Sequence, residues 1–332
     1  MDKSIIEASY PVPKHPTWFF LDNSKMKTFM GCPRKFFYEY ILGWRSEGVS
    51  IHLEFGKAWH IAQEHLRLNG YSTDSLTDAY SSFLNHYRKY FMEATDSDFA
   101  PKNPKGAAEA IVEYAEQYEE RDKKITTLYT EVSAITPISD NRDMVVRIDF
   151  IGEHKDYGII GMDYKTAGKY SNMWISSWST DMQMKIYAHT LRVYFPGQKV
   201  FGMIVDGVVL YKNQQKDIPT RHRFVRVPLK ISDDIMNDWL FDVNHWYDMI
   251  EWNMKQLANS KPEHPTMQAF PKNPGNCTNF NSLCPYHSLC CTWANPLRKC
   301  ATPPPGLIVR WWDPRTDEDK PPKHNFKEGR RD

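Results

Sequence analysis

Residues 145–165 read VVRIDFIGEHKDYGIIGMDYK. Two apolar-alternating runs, Val145 to Ile151 and Gly158 to Lys165, flank the polar turn His154-Lys155-Asp156-Tyr157-Gly158. Period-two alternation on either side of a turn cluster ending in glycine predicts a β-hairpin. With the turn centred near Asp156, an antiparallel ladder sets Asp149 roughly opposite Asp163. Side chains at i and i+2 share a face, so Asp163 and Lys165 project together. Two carboxylates and a lysine then meet on strands whose other positions are Val, Ile and Phe, a candidate divalent-metal site for phosphodiester chemistry. D-x-K alone reads better as a surface hairpin with a cross-strand salt bridge. The residues elsewhere in the chain shift that balance.

A chain of 332 residues can bury a large core, and 41% hydrophobic with 14% aromatic residues is a globular composition rather than a disordered one. No apolar run approaches membrane-spanning length, and MDKSIIEASYPVPKHP lacks the basic-then-apolar profile of a signal peptide. The expectation is a soluble cytoplasmic protein without membrane contact, bacterial or in the host cytoplasm if viral. Thiols stay reduced there, so six cysteines need an explanation other than disulfides. A net charge of +1 leaves polyanion binding to local clusters. Residues 25–45 carry Lys25, Lys27, Arg34, Lys35 and Arg45 against Glu39. Residues 195–230 carry Lys199, Lys212, Lys216, Arg221, Arg223, Arg226 and Lys230 against Asp206 and Asp217. Such clusters also occur as plain solvated faces.

Outward from the hairpin, residues 1–20 read as an irregular lead-in with three prolines, and Ser24 as the cap of a helix that Gly31 and Pro33 kink or break. A second helix is expected over His52 to Leu68, with His60 and Glu64 one turn apart. Residues 71–124 read as a helical insertion beside the sheet. A strand from Leu128 to Ile138 carries Glu131. After a loop holding Trp174 and Trp178, a helix over Ser179 to Tyr194 sets Gln183 and Tyr187 on one face. Those tryptophans could stack the bases of a single strand or simply pack. Val200 to Tyr211 and His222 to Leu229 read as strands. Ser232 to Ala258 reads as a long amphipathic helix, with Ile235, Trp239, Val243, Trp246, Ile250 and Leu257 on its core face. The division expected is a lead-in over 1–23, one large domain over 24–300 and a Pro-rich, charged tail over 301–332, which Trp311 and Trp312 could pin to the body or a partner.

In order, SKMKTFMGCPRKFFYEYILG, FGKAWH, Glu131, RIDF, MDYKT, QMKIY and a C-terminal cysteine group resemble the PD-(D/E)xK nuclease superfamily. The likeness is to its RecB-type branch, with the AddB-like and CRISPR-associated iron–sulfur exonucleases. The resemblance spans residues 24 to 291 and leaves out the 71–124 insert and the tail. It implies an α/β, restriction-endonuclease-like fold, with a central mixed β-sheet flanked by helices, a helical insertion and a C-terminal cysteine-bound clamp. It implies a metal-dependent deoxyribonuclease, an exonuclease acting at DNA ends in recombination, repair or replication. His60, Asp149, Asp163 and the Tyr164 carbonyl would ligate the metal, and Lys165 would orient or activate the attacking water. Gln183 and Tyr187 would contact the lysine or the scissile phosphate, and Glu131 matches the family's acidic position more loosely, the alternatives being a residue behind the metal ligands or simply a paired strand residue. Mg²⁺ suits the aspartates, and an imidazole ligand moves preference toward Mn²⁺.

By the same resemblance Cys32, Cys277, Cys284 and Cys290 would hold a [4Fe–4S] cluster joining the two ends of the domain. The sequence departs from that pattern in one place: six residues separate Cys277 from Cys284, where the family has two. Structural Zn²⁺, recruiting His287, is the runner-up, and Cys291 and Cys300 are spare. Gly56-Lys57 is no phosphate loop, since Ile stands at 51 and Ala at 58. A helicase, like any recombination partner, would therefore be a separate chain. A non-catalytic protein binding nucleic-acid ends or a recombination partner, and an RNA endonuclease, are the alternatives.

Overall fold

The computed structural model describes residues 1–213, 221–279, 282–316 and 323–326. The lead-in is more regular than expected. A short helix α1 (Lys3–Glu7) is capped by the Asp2 carboxylate, and a 3₁₀ turn follows over Pro16–Phe19. Helix α2 (Asn23–Gly31) is capped by Asp22 rather than Ser24: Asp22 is extended, and its carboxylate accepts the Lys25 amide at 2.9 Å. Cys32 breaks the helix, and Pro33, whose missing N–H costs nothing in a first turn, starts α3 (Pro33–Phe36). A π turn over Phe37–Ile41 leads to β1 (Trp44–Ser46). Then come α4 (Ile51–Asn69) and the insertion, α5 (Thr73–Tyr87) and α6 (Pro104–Asp122).

The sheet follows with β2 (Ile125–Ser139), β3 (Arg142–His154) and β4 (Gly158–Ala167). Next are two helices where one was expected, α7 (Asn172–Thr180) and α8 (Met182–Tyr194). Extended Asp181 separates them, its carboxylate accepting the amides of Gln183 and Met184. Trp174 and Trp178 therefore sit on a helix, not in a loop. Strands β5 (Val200–Leu210) and β6 (His222–Leu229) complete the main sheet before α9 (Asp233–Ala258), capped by Ser232. On α9 the buried stripe runs Met236, Trp239, Val243, Tyr247, Ile250, Met254, Leu257. Ile235, expected in the core, is exposed, and Trp246 is half-buried. A small hairpin, β7 (Thr278–Asn279) and β8 (Ser282–Leu283), precedes α10 (His287–Thr292), β9 (Leu307–Val309) and β10 (His324–Phe326).

The sheet order is β10-β2-β3-β4-β5-β6. Strands β4 and β5 run parallel, as do β10 and β2, and the remaining neighbours are antiparallel. The α7–α8 crossover supplies the connection that a parallel β4–β5 pair requires. One face of the sheet packs on α2, α8 and α9; Phe150, Ile160, Met162, Tyr164, Val208 and Leu210 meet α4–α6 on the other. The result is a mixed α/β protein of three layers.

The tail is extended as expected but tied down. Strand β9 pairs with β1, and β10 adds a parallel edge strand to β2. Trp311 stacks on His15 at 4.1 Å, and the Trp312 indole N–H donates to Asp22 at 2.8 Å. Lys216 and Asp217 of the basic cluster, and Pro321 and Pro322 of the tail, lie outside the described residues. Among the described residues no helix is long and apolar enough to cross a membrane.

Candidate active site

Strand register builds the site. The β3–β4 ladder pairs Phe150 with Met162 through His154 with Gly158, so its next step sets Asp149 across from Asp163, as the hairpin reading expected. On the other side of β3, Thr130 pairs with Phe150 and Val132 with Ile148, which leaves Glu131 beside Asp149. Three carboxylates thus occupy one rung across β2, β3 and β4. Glu131 holds a left-handed backbone at φ 50°, a sparsely populated conformation for a side-chain-bearing residue and one that clusters at functional sites.

Cations balance this rung. The Lys165 ammonium lies 2.7 Å from Asp163, whose side chain is almost wholly buried. Burial pushes the Asp163 carboxyl up to about 6 even against the pull of Lys165. The Asp149 carboxylate accepts the Tyr164 amide at 2.9 Å and stands 3.4 Å from His60 Nδ1, while His60 Nε2 meets the Tyr164 carbonyl at 2.7 Å. With both ring nitrogens facing oxygen acceptors, the imidazole is held as a cation. Burial opposes that charge, but Asp149 prevails and the His60 pKa rises to about 9. Burial likewise works to raise Asp149, and His60 overcomes it to hold that carboxyl below its usual range.

Lys165 also donates to Gln183 Oε1 at 3.1 Å, and Gln183 Nε2 donates to the Tyr187 hydroxyl at 2.7 Å. One turn of α8 thereby steers the lysine: the i, i+4 spacing sets Gln183 and Tyr187 on one face, and contact with the lysine or the phosphate is what the resemblance implies. Glu131 is paired with Arg147 at 2.7 Å. Burial raises the Glu131 carboxyl and neighbouring Asp149 adds to the effect. His60, Glu131, Arg147, Asp149, Gln183 and Tyr187 line one cavity of about 510 Å³.

The expected grip of His60, Asp149 and Asp163 on a single ion is only partly assembled. Among the described residues no three His, Cys, Asp or Glu side chains are close enough to hold a metal, because Lys165 draws Asp163 away while His60 turns to Asp149. The donor chemistry still fits a hard divalent cation. The Asp149 carboxylate and the Tyr164 carbonyl converge on one positive point, now the His60 ring, and both are oxygen donors of the kind such ions take. Sequence reasoning missed Arg147, which lies two residues before Asp149 and so shares its face by the same period-two rule. It also missed the tail's share of the cavity wall, through Trp312, Pro314 and Thr316.

A second cavity, of about 540 Å³, gathers Cys32, Cys277, Cys284 and Cys290, with His287 and Cys291 also lining it. All six cysteines are free thiols. Burial pushes Cys290 up to about 11 and also raises Cys284, with Cys32 adding to both. The six-residue gap has a structural reading. It folds as the β7–β8 hairpin, whose ends join where the Cys284 amide donates to the Cys277 carbonyl at 2.9 Å. Phe280 and Asn281 lie outside the described residues. As placed, no three of these groups stand at metal-binding distance among the described residues.

No curated protein matches the chain. A solved crystal structure of a protein called SSO0001 is similar at 14% identity and TM-score 0.23, over 61% of this chain and 92% of that one. The family model of the PD-(D/E)XK nuclease superfamily matches residues 23–291. That span holds every carboxylate of the rung, His60, Lys165 and the Gln183–Tyr187 pair, and the chain belongs to the PD-(D/E)XK nuclease superfamily.

Proposed function

We propose that the protein is a metal-dependent deoxyribonuclease of the RecB-type branch, an exonuclease acting on DNA ends in recombination or repair. The observation that carries this reading is the rung Glu131–Asp149–Asp163 with Lys165 steered by Gln183 and Tyr187, beside a cavity that Glu131, Asp149, Gln183 and Tyr187 line. Asp149, Asp163, the Tyr164 carbonyl and a neutral His60 would hold Mg²⁺ or Mn²⁺. When bound, such an ion supplies Lewis acidity and a water acidic enough to yield hydroxide near neutral pH. Lys165 is held as a point charge whose ammonium can turn from Asp163 toward a phosphate oxygen or the attacking water. Gln183 keeps the ammonium aimed, and Tyr187 keeps Gln183 aimed. Arg147, once turned from Glu131, presents a two-pronged donor to the phosphate.

A [4Fe–4S] cluster on Cys32, Cys277, Cys284 and Cys290 would clamp the N-terminal helices to the C-terminal hairpin, as a structural staple. The approach of His287 to Cys291 at 3.7 Å favours zinc as the second reading of that cavity. Iron, sulfide and zinc analysis of anaerobically purified protein separates the two.

The test is digestion of linear and circular, single- and double-stranded DNA, with RNA alongside, in Mg²⁺ or Mn²⁺. Release of nucleotides from linear DNA only, abolished by Asp163→Asn, is expected. Cleavage of circles or of RNA alone would replace the exonuclease reading, and no cleavage of any substrate would leave only a nucleic-acid-binding protein.

A further inference from the structure

The cavity that Glu131 and Asp149 line is also walled by the inserted helix α5 and the turn that follows it. Ser82 and Asn85, one turn apart on the helix, line it together with Lys89, which stands in the turn just past the helix end at Tyr87. The neighbouring positions explain why the row is held there. Ala79, Phe83, His86 and Tyr87 are buried, Phe83 packs edge-on to Phe55 at 5.2 Å, and His86 Nε2 lies 3.0 Å from Glu54 of α4. The helix is therefore fixed in rotation, with its polar flank turned to the cavity.

The row itself is unused. Among the described residues, no hydrogen bond or ion pair reaches the side chains of Ser82, Asn85 or Lys89. Arg88 beside them is neutralised by Asp96 at 2.6 Å, and Lys57 across the cavity wall by Glu54 at 3.2 Å. Three donors that serve no structural partner thus line the cavity that Glu131 and Asp149 of the rung also line.

We propose that Ser82, Asn85 and Lys89 form a phosphate-binding rail that holds the sugar–phosphate backbone of one nucleic-acid strand leading to the carboxylate rung. The inference rests on the nuclease reading and deepens it by naming how the strand is held. Hydroxyl, amide and ammonium groups are the donors that proteins direct at phosphate oxygens, and contacts of that kind position a strand without reading its bases. No aromatic side chain interrupts the row, so the rail is indifferent to sequence. Two neutral donors and one cation also match a chain whose net charge is close to zero. Grip comes from placed hydrogen bonds with one counterion released at Lys89.

The experiment is an anisotropy titration of the full-length protein with a fluorescein-labelled single strand, in EDTA so that no hydrolysis follows, at several salt concentrations. The wild type is compared with the combined variant Ser82→Ala/Asn85→Ala/Lys89→Ala and with Lys89→Glu. All three positions lie off the buried face of α5, and matched thermal midpoints check the fold. The combined variant should weaken binding roughly tenfold, equally for two strands of unrelated sequence, and its loss in Mg²⁺ cleavage should fall on KM rather than kcat. Lys89→Glu should weaken binding further per site and lower the slope of log Kd against log salt by ~0.7 or more. Variants that match a DNA-binding wild type in Kd and slope would overturn the rail and leave the nuclease reading intact. A wild type that binds strands without cleaving them sinks the nuclease reading, while the variants still judge the rail. A wild type that neither binds nor cleaves removes both.

Discussion

Two clusters of buried charge sit a few residues apart, and they are built to opposite rules. In the first, Arg67 of α4 and Arg226 of β6 face Asp122 of the insertion and Asp206 of β5, with ion pairs between 2.5 and 3.4 Å. Tyr114 donates to Asp206 at 2.6 Å and receives from both arginines, and Tyr71 donates to Asp122 at 2.5 Å. Two guanidiniums answer two carboxylates, and tyrosine hydroxyls fill in around them. In the second cluster Glu131, Asp149 and Asp163 crowd one rung with partners His60, Lys165 and Arg147, of which His60 and Arg147 line the cavity, and burial drives Asp163 up to about 6. The closed network locks the insertion to the sheet. The open one keeps groups that can change partners, as a hydrolytic site requires.

Tyr164 belongs to both. Its amide and carbonyl hold Asp149 and His60, while its hydroxyl receives Arg67 Nε at 3.2 Å. The comparison yields predictions in order of size. Asp163→Ala or Lys165→Ala should lower cleavage by roughly a thousandfold with thermal midpoint and DNA affinity little changed, since the lost group acts on developing charge; single-turnover assays on end-labelled DNA check this. Asp122→Ala leaves two buried guanidiniums short of a partner and should destabilise the fold by about 3–5 kcal/mol in urea titrations. If instead Asp122→Ala were tolerated and Asp163→Ala unfolded the chain, the roles of the two clusters would be reversed.

A subtler effect tests a third buried charge. Lys25, at the start of α2, donates to the carbonyls of Thr17 and Phe20. Burial pulls its pKa down to about 8 from 10.5, against the influence of Asp22. Between those two values the unfolded chain keeps a proton that the folded one has released, so this group's contribution to stability rises with pH across that window. Urea midpoints of wild type and Lys25→Met should therefore shift relative to each other in the wild type's favour from pH 8 to 10.5. A constant gap would contradict it. Smallest of all, Tyr164→Phe removes one hydrogen bond between the clusters, costs about 1 kcal/mol of stability and changes kcat by no more than a few-fold.

What could be read from the chain, and what could not, follows the same division. The hairpin, the facing aspartates and the shared face of Gln183 and Tyr187 depend on local periodicity, which two and 3.6 residues per repeat write directly into the sequence, whereas the link from Lys165 to Gln183 is only what the resemblance implies. The stretch 171–178 reads as a loop because it is rich in Ser and Asn, yet it enters α7, and the Asp181 break falls inside the helix expected over Ser179 to Tyr194. Ile235 looked like core because it falls one residue from the true buried position, Met236. Arg67, Asp122, Asp206 and Arg226 come from four separate elements, so no spacing pattern joins them. The same holds for the tail: only its docking on β2 and Asp22 places Trp312 at the cavity.

The most direct test is titration of Mn²⁺ into purified protein followed by its electron paramagnetic resonance, in the wild type and in Asp149→Asn. The account predicts saturable binding by the wild type that is lost, or weakened at least tenfold, in the variant. Equal binding by both proteins would place any metal away from the carboxylate rung and contradict it.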